Sequence, residues 1–347
     1  MSITFSLSQL GWRPFFQQQL TLEEWESSQP ARVMAVHRSS LDVAIDEQTI
    51  TLPVTSSMPS LAVGDWLLIE NNSFHRLLEQ QSLFSRKAAG SKVSEQLIAA
   101  NLDTAFIVCS MNQDFNLNRI ERYLALVAEA EVEPVIVLTK QDLCPDPEHY
   151  MDQIRNLDNA LQVLGVNALD SESLSPLHPW CLSGRTVALI GSSGVGKSTL
   201  VNGLLSQSQQ STGSIREDDS KGRHTTTGRS LHLTSSGALL LDTPGMREIQ
   251  LTHCESGVEA TFAEIIQLSE QCQFQDCQHQ SEPDCAVKMA ILAGNLDQRR
   301  LESYRKLLRE QAMNSASLAE KRAQNRALTR HIKSVAKSAK RLKQNWE

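Results

Sequence analysis

No stretch of the 347-residue chain approaches the roughly 18 consecutive apolar residues of a membrane-spanning helix. The opening residues, Met1 to Leu7, have neither the basic start nor the long apolar core of a secretory leader. A cytoplasmic protein with no membrane contact is therefore expected. The seven cysteines do not form a disulfide framework: Cys109, Cys144, Cys181 and Cys254 are scattered, and the other three cluster with a histidine. Acidic residues are missing from Lys321 to Lys343, which holds nine Lys/Arg. Residues 321–347 thus carry a surplus of eight positive charges, and the rest of the chain about fifteen negative ones. An acidic body with a basic end is a layout suited to holding a polyanion by that end. Apolar content of 40% is that of a globular protein, and the length predicts two or three domains.

The strongest motif is Gly191–Thr199, in which Gly191, Gly196, Lys197 and Ser198 fill the template G-x-x-x-x-G-K-[ST]. Ser192, Ser193, Gly194 and Val195 lie between them, and Thr199 follows. The run Thr186–Ile190 before the motif reads as a buried strand. Leu200, Val201, Leu204 and Leu205 after it recur at helical spacing. Small residues let backbone N–H groups close around phosphate oxygens, and a helix N-terminus adds partial positive charge. Lys197 can reach the outer phosphates and the Ser198 hydroxyl can ligate Mg²⁺.

A second motif, Thr139-Lys140-Gln141-Asp142, closes another apolar run. A carboxylate there accepts two hydrogen bonds from the guanine edge, which adenine cannot supply. Asp142 therefore argues against an ATP-dependent enzyme, and the stem of Lys140 can lie along the purine. Asn167 and Ala168, at the end of the next strand, can offer a backbone N–H to the guanine oxygen. Beyond the glycine loop, Gly222–Thr227 supplies Thr226, or alternatively Thr225, for Mg²⁺ and the terminal phosphate. His224 is a candidate for positioning water or phosphate, or else an exposed loop histidine. Asp242 and Gly245 can complete the Mg²⁺ and terminal-phosphate contacts. Met246 stands where many GTPases orient the attacking water with a glutamine, so slow intrinsic hydrolysis is expected. The order of these motifs is rotated: base-reading loops come first, the phosphate loop after them.

Alternating runs frame these motifs. Thr104–Cys109, Pro134–Leu138, Leu161–Val166 and Val187–Ile190 read as strands. Leu117–Glu131 reads as a helix with Ile120, Leu124 and Val127 on one face. The pattern predicts a largely parallel α/β sheet with ligand at the C-terminal strand ends. Ahead of it, residues 31–90 hold short β-like runs, the pattern of a small OB-like barrel. Residues 31–92 contain six basic and six acidic residues, so this unit lacks the basic surplus of a phosphate-binding surface. Residues 1–30 read as a weakly structured lead-in and Phe84–Gln96 as a linker. The GTPase domain is placed at 91–255.

Residues 256–347 are read as a helical metal-binding domain. Cys272, Cys277, His279 and Cys285 are spaced C-x4-C-x-H-x5-C. Three thiolates and one imidazole suit tetrahedral Zn²⁺ and leave no open position for a reacting water, so one structural zinc is expected, with iron–sulfur ligation the alternative. The stretch from Leu296 onward is nearly free of glycine and proline. In it Leu328, Ile332, Val335, Ala339 and Leu342 form an apolar stripe, with Arg322, Arg326, Arg330, Lys333, Lys337 and Arg341 on another face. It is a helix that either docks by its stripe or grips RNA phosphate.

Together the rotated order, the glycine loop, Gly222–Thr227, Asp242–Gly245 and the cysteine–histidine spacing resemble the RsgA family, the small-subunit ribosome biogenesis GTPases. The likeness runs from about residue 31 to about 310 and includes Arg86–Gly90, Ala99–Asp103 and Asn112–Asn116. It implies an N-terminal OB-fold, a circularly permuted GTPase domain and a C-terminal zinc domain. It also implies binding to the 30S subunit and its 16S rRNA late in maturation, with hydrolysis stimulated by that subunit. His224 resembles a family histidine of the first switch region. Thr139 stands where asparagine is frequent and Asn167 where serine is usual. Gly194 replaces the asparagine of potassium-using loops, so no potassium dependence is expected. A monomer is expected. The competing reading is a nucleotide-gated RNA-binding assembly factor with little intrinsic turnover.

Overall fold

The structure is a computed structural model and describes residues 5–87, 95–205, 229–242 and 254–315. Two short helices, α1 (Pro14–Gln17) and α2 (Leu22–Ser27), lead into five strands: β1 (Gln29–Val36), β2 (Ser40–Ile45), β3 (Gln48–Pro53), β4 (Trp66–Glu70) and β5 (Ser73–Leu77). These pair in the order β5-β4-β1-β2-β3. One apolar cluster takes in Leu52 of β3 and, at its margin, Phe74 and Leu77 of β5, so the small sheet curls around its own core. Residues 5–28 are not a loose lead-in. Leu10 and Phe16 are buried, and the Trp12 and Phe16 rings lie 4.9 and 5.6 Å from that of Trp66. Thr21 and Glu24 form a reciprocal capping box at the start of α2. Nor is Phe84–Gln96 an unstructured linker: β6 (Leu83–Lys87) pairs antiparallel with β7 (Glu95–Ala100). The expected boundary at 90/91 therefore falls between the two strands of one hairpin.

The α/β unit follows as β8 (Thr104–Ser110), α3 (Leu117–Glu129), β9 (Glu133–Thr139), α4 (Pro147–Arg155), β10 (Gln162–Val166), β11 (Thr186–Ile190), α5 (Lys197–Leu205), β12 (Arg229–Leu233) and β13 (Leu239–Asp242). Its strand order is β10-β9-β8-β11-β13-β12, parallel except for β12. β8 and β11 are buried at every residue, as the apolar runs Ala105–Cys109 and Val187–Ile190 require of central parallel strands. Pairing of Ser110 with Thr139 and of Thr139 with Val166 aligns the C-terminal ends of β8, β9 and β10 on one rim. β12 also pairs with β1 through Ala35–Ser230 and Val36–Arg229, so the two sheets are continuous. At the opposite end of the sheet Asp103 ties the amino-terminal segment to the start of β11: it accepts from Arg13 Nη1 at 2.7 Å and from the Thr186 N–H at 2.7 Å.

On α3 the expected apolar face of Ile120, Leu124 and Val127 is buried against the core. The helices α6 (Glu255–Thr261), α7 (Ala263–Ser269), α8 (Ala286–Leu292) and α9 (Gln298–Ser315) complete the described chain. A Cβ on Gly257 would lie 2.0 Å from the Ala125 carbonyl, so α6 can approach α3 this closely only with glycine there. Glu121 of α3 is 0% exposed. It accepts from Arg299 Nη1 at 3.0 Å, Arg299 Nη2 at 3.1 Å and Arg300 Nη1 at 2.9 Å. Arg300 also donates to Glu264 and to the Thr261 carbonyl, and its guanidinium lies over the Phe262 ring. Among the described residues no helix is long and apolar enough to cross a membrane.

Candidate nucleotide and metal sites

The glycine loop connects β11 to α5, as its flanks require. Gly191, Gly194 and Gly196 have φ of +156°, +78° and +93°. At Gly191 a Cβ would meet the Val108 carbonyl at 2.3 Å, so the turn off β11 needs the bare backbone. Lys197 opens α5 and folds back over the loop, donating from Nζ to the Gly191 carbonyl at 2.7 Å and to that of Ser192. Ser193, Gly194 and Ser198 are exposed, Thr199 is half-buried, and Val195 is buried beneath them.

The Thr139–Asp142 motif meets this loop directly. Lys140, in the left-handed region at φ +62°, donates from Nζ to the Gly194 carbonyl at 3.1 Å. Thr139 is fully buried and donates from Oγ1 to the Val195 carbonyl at 2.6 Å. Its side chain is a brace between the two loops, pointed beneath the phosphate loop. Gln141 and Asp142 follow on a single 3-10 turn, with Asp142 exposed. The Gln141 amide packs on Gly165, where a Cβ would come within 2.8 Å. Asn167 folds on its own turn: its N–H donates to Ser173 Oγ at 2.8 Å and its Oδ1 accepts from the Leu169 N–H at 3.0 Å. Ala168 abuts α5 near Gly203. Thr139 to Asp142, Asn167, Ala168 and Gly191 to Thr199 thus share one rim. Asp242 ends β13 one strand away, next to β11, with its side chain outside the described residues. His224, Thr225, Thr226, Gly245 and the basic stretch from Lys321 also lie outside the described residues. The sequence reading missed Arg119 of α3, which donates from Nη1 to Ser192 Oγ at 2.8 Å.

Cys272, Cys277, His279 and Cys285 bring their ligand atoms within 4.8 Å of one another. His279 Nδ1 lies 3.7 Å from Cys272 Sγ and 3.4 Å from Cys285 Sγ, and the two sulfurs are 3.9 Å apart. A tetrahedron of Zn–S and Zn–N bonds has edges of about 3.5–3.8 Å, so the four donors fit one zinc ion. The His279 tautomer is set from outside. Ser269 Oγ donates to the Ile265 carbonyl at 2.7 Å, so at 3.1 Å it accepts from His279 Nε2–H and leaves Nδ1 free for metal. Burial, helped by Arg305, lowers the His279 pKa and keeps the ring neutral. Burial opposes the Cys272 thiolate, but hydrogen bonds from the Val287 and Ala286 N–H groups, together with those from Cys285 and Cys277, hold its pKa below the usual thiol value. Ser269→Ala is expected to weaken zinc binding about 10- to 100-fold, read by competition with a chromogenic chelator. An unchanged affinity would remove Ser269 from the site.

Strand order and site geometry define a P-loop nucleotide-binding protein with the Thr139–Asp142 loop ahead of its phosphate loop. Solved structures share this fold: YjeQ from Thermotoga maritima, at TM-score 0.62 and 23% identity, covers 82% of this chain and 98% of its own. YloQ, described as a circularly permuted GTPase, gives TM-score 0.58 and 24% identity over 82% of this chain and 94% of its own. The chain belongs to the RsgA GTPase family, whose sequence model matches residues 77–252. A relative from Vibrio parahaemolyticus, named small ribosomal subunit biogenesis GTPase RsgA 2, is 58% identical over all of this chain and 97% of its own length. A relative from Mesorhizobium japonicum, named small ribosomal subunit biogenesis GTPase RsgA, is 47% identical over 89% of this chain and 91% of its own. A model of the ABC transporter matches residues 176–335, a stretch that includes the same glycine loop. The protein is a GTPase.

Proposed function

We propose that this GTPase binds GTP with Mg²⁺ on the shared rim and uses its hydrolysis in late maturation of the 30S ribosomal subunit. The observation that carries the nucleotide site is the pair of contacts from Thr139 and Lys140 to Val195 and Gly194, which fixes the base loop against the phosphate loop. In this reading Asp142 selects guanine, Asn167 and Ala168 border the base, and the N–H groups of Gly191 to Thr199 hold the phosphates. Lys197 leaves the Gly191 carbonyl for the outer phosphates. Ser198, Thr226 and Asp242 are the Mg²⁺ partners, Gly245 meets the terminal phosphate, and His224 positions the attacking water. Mg²⁺ when bound neutralises charge on the outer phosphates.

The ribosomal partner rests on the names of the relatives at 58% and 47% identity. In this reading the amino-terminal region, up to the β6–β7 hairpin, and residues 256–347 flank the GTPase domain, with 16S rRNA held by the basic C-terminal residues. Cys272, Cys277, His279 and Cys285 hold one zinc ion that stiffens the last domain. The protein acts as a monomer in the cytoplasm.

The test is GTP turnover by the full chain with and without purified 30S subunits. Stimulation of about tenfold or more by 30S, reduced at high salt, is the expected result. Equal stimulation by any polyanion, with none specific to 30S, would overturn the ribosomal assignment. Tight GTP-dependent binding to 30S without faster single turnover would replace it with nucleotide-gated assembly, the reading that Met246 favours.

A further inference from the structure

The contacts of the phosphate loop give the bound nucleotide a direction. At one end Lys140 and Thr139 hold Gly194 and Val195, next to the base-reading Asp142. At the other end Lys197 Nζ rests on the carbonyls of Gly191 and Ser192. A lysine in this motif serves the outer phosphates, so Gly191–Ser192 is the outer-phosphate end. A second cation is present at that end. Arg119 is the third residue of α3, behind the Asn116 cap, whose Oδ1 accepts from the Arg119 N–H at 3.1 Å. Its guanidinium reaches across from β8's end of the sheet to Ser192 Oγ at 2.8 Å. The buried Cys109 thiol lies in the field of both cations.

We propose that Arg119 is a second phosphate-site cation, which makes the site prefer the triphosphate over the diphosphate. The proposal rests on the nucleotide site described above. Among the described residues the Arg119 guanidinium donates to the neutral hydroxyl of Ser192, which leaves most of its five donors for a stronger acceptor. A terminal phosphate at the Gly191–Ser192 end supplies that acceptor, with charge-assisted geometry suited to an arginine. GDP lacks that group, so Arg119 contributes to GTP binding more than to GDP binding. An arginine supplied by the chain itself is one known way to stabilise charge on a transferring phosphoryl group. It offsets part of what Met246 fails to provide.

The test is binding of GDP and of a non-hydrolysable GTP analogue to the full-length protein by titration calorimetry, with single-turnover hydrolysis alongside. Arg119→Ala is expected to lower analogue affinity about tenfold and GDP affinity by no more than about twofold. Arg119→Lys is expected to recover most of the difference and Arg119→Gln none. Equal losses for the two ligands, or no loss, would overturn the proposal, because a residue that only shapes the loop acts on both. Lys197→Ala separates the two readings. If it leaves both ligands bound, the nucleotide site itself is misplaced. If it abolishes binding while Arg119→Ala treats the ligands alike, only the role of Arg119 falls.

Discussion

Asp142→Asn is expected to move the protein's preference from GTP to xanthosine triphosphate. The carboxylate accepts from guanine N1–H and from the exocyclic amine. An asparagine amide instead presents one acceptor and one donor, matching xanthine, which carries an oxygen where guanine has the amine. GTP affinity should fall about 100-fold, the cost of facing a buried donor with a donor. Asp142 is exposed and sits on a single 3-10 turn, so the change should leave stability within about 0.5 kcal/mol of the parent. Competition binding with the two triphosphates reads the result. Undiminished preference for GTP would show that Asp142 does not face the base.

The second large effect concerns α3 rather than the rim. Glu121→Ala should destabilise the protein by about 3 kcal/mol, because it takes the shared carboxylate from the buried Arg300 and from Arg299, which stays partly exposed and keeps Asn118 and Asp297. Arg300 keeps Glu264, the Thr261 carbonyl and the Phe262 ring, which holds the expected value at the lower end for a broken buried pair. Glu121→Gln keeps an acceptor and should lose less. Denaturant unfolding followed by helical circular dichroism measures both. If the loss stems from α9 leaving α3, the variant should also unfold in two steps, the first involving α9. A loss under about 1 kcal/mol would mean that the arginines find water when Glu121 is removed.

Much of this was legible in the chain because the decisive signals are local. A glycine loop between an apolar run and a helical repeat carries its own context, and the Cys272–Cys285 spacing names its ligands within fourteen positions. The strands β8, β9 and β11 are built on continuous apolar runs, the pattern of burial on both faces. What the chain did not disclose depends on partners distant in sequence. Trp12 and Phe16 looked like isolated apolar points because Trp66, which they pack on, is some fifty residues away. Thr21 and Glu24 did carry a readable capping signal for a helix in the lead-in. Glu121 sits among apolar neighbours on its helix, and its arginine partner Arg299 is 178 residues further on. Thr139 lies at the expected position, but spacing cannot say where a hydroxyl points, and this one supports Val195. Arg119 escaped notice for the same reason, since its partner Ser192 is 73 residues away.

A piece of the chain starting at residue 95 would contain every described rim residue and yet lose its amino-terminal supports, β6 beside β7 among them. It would leave the outer margin of β12 without the rungs that Ala35 and Val36 provide, and Asp103 without Arg13 at the entrance to β11. Naked strand margins invite adhesion between copies. The smallest piece that stays dispersed is therefore larger than the smallest piece that carries the chemistry, and the amino-terminal strands act as its selvedge.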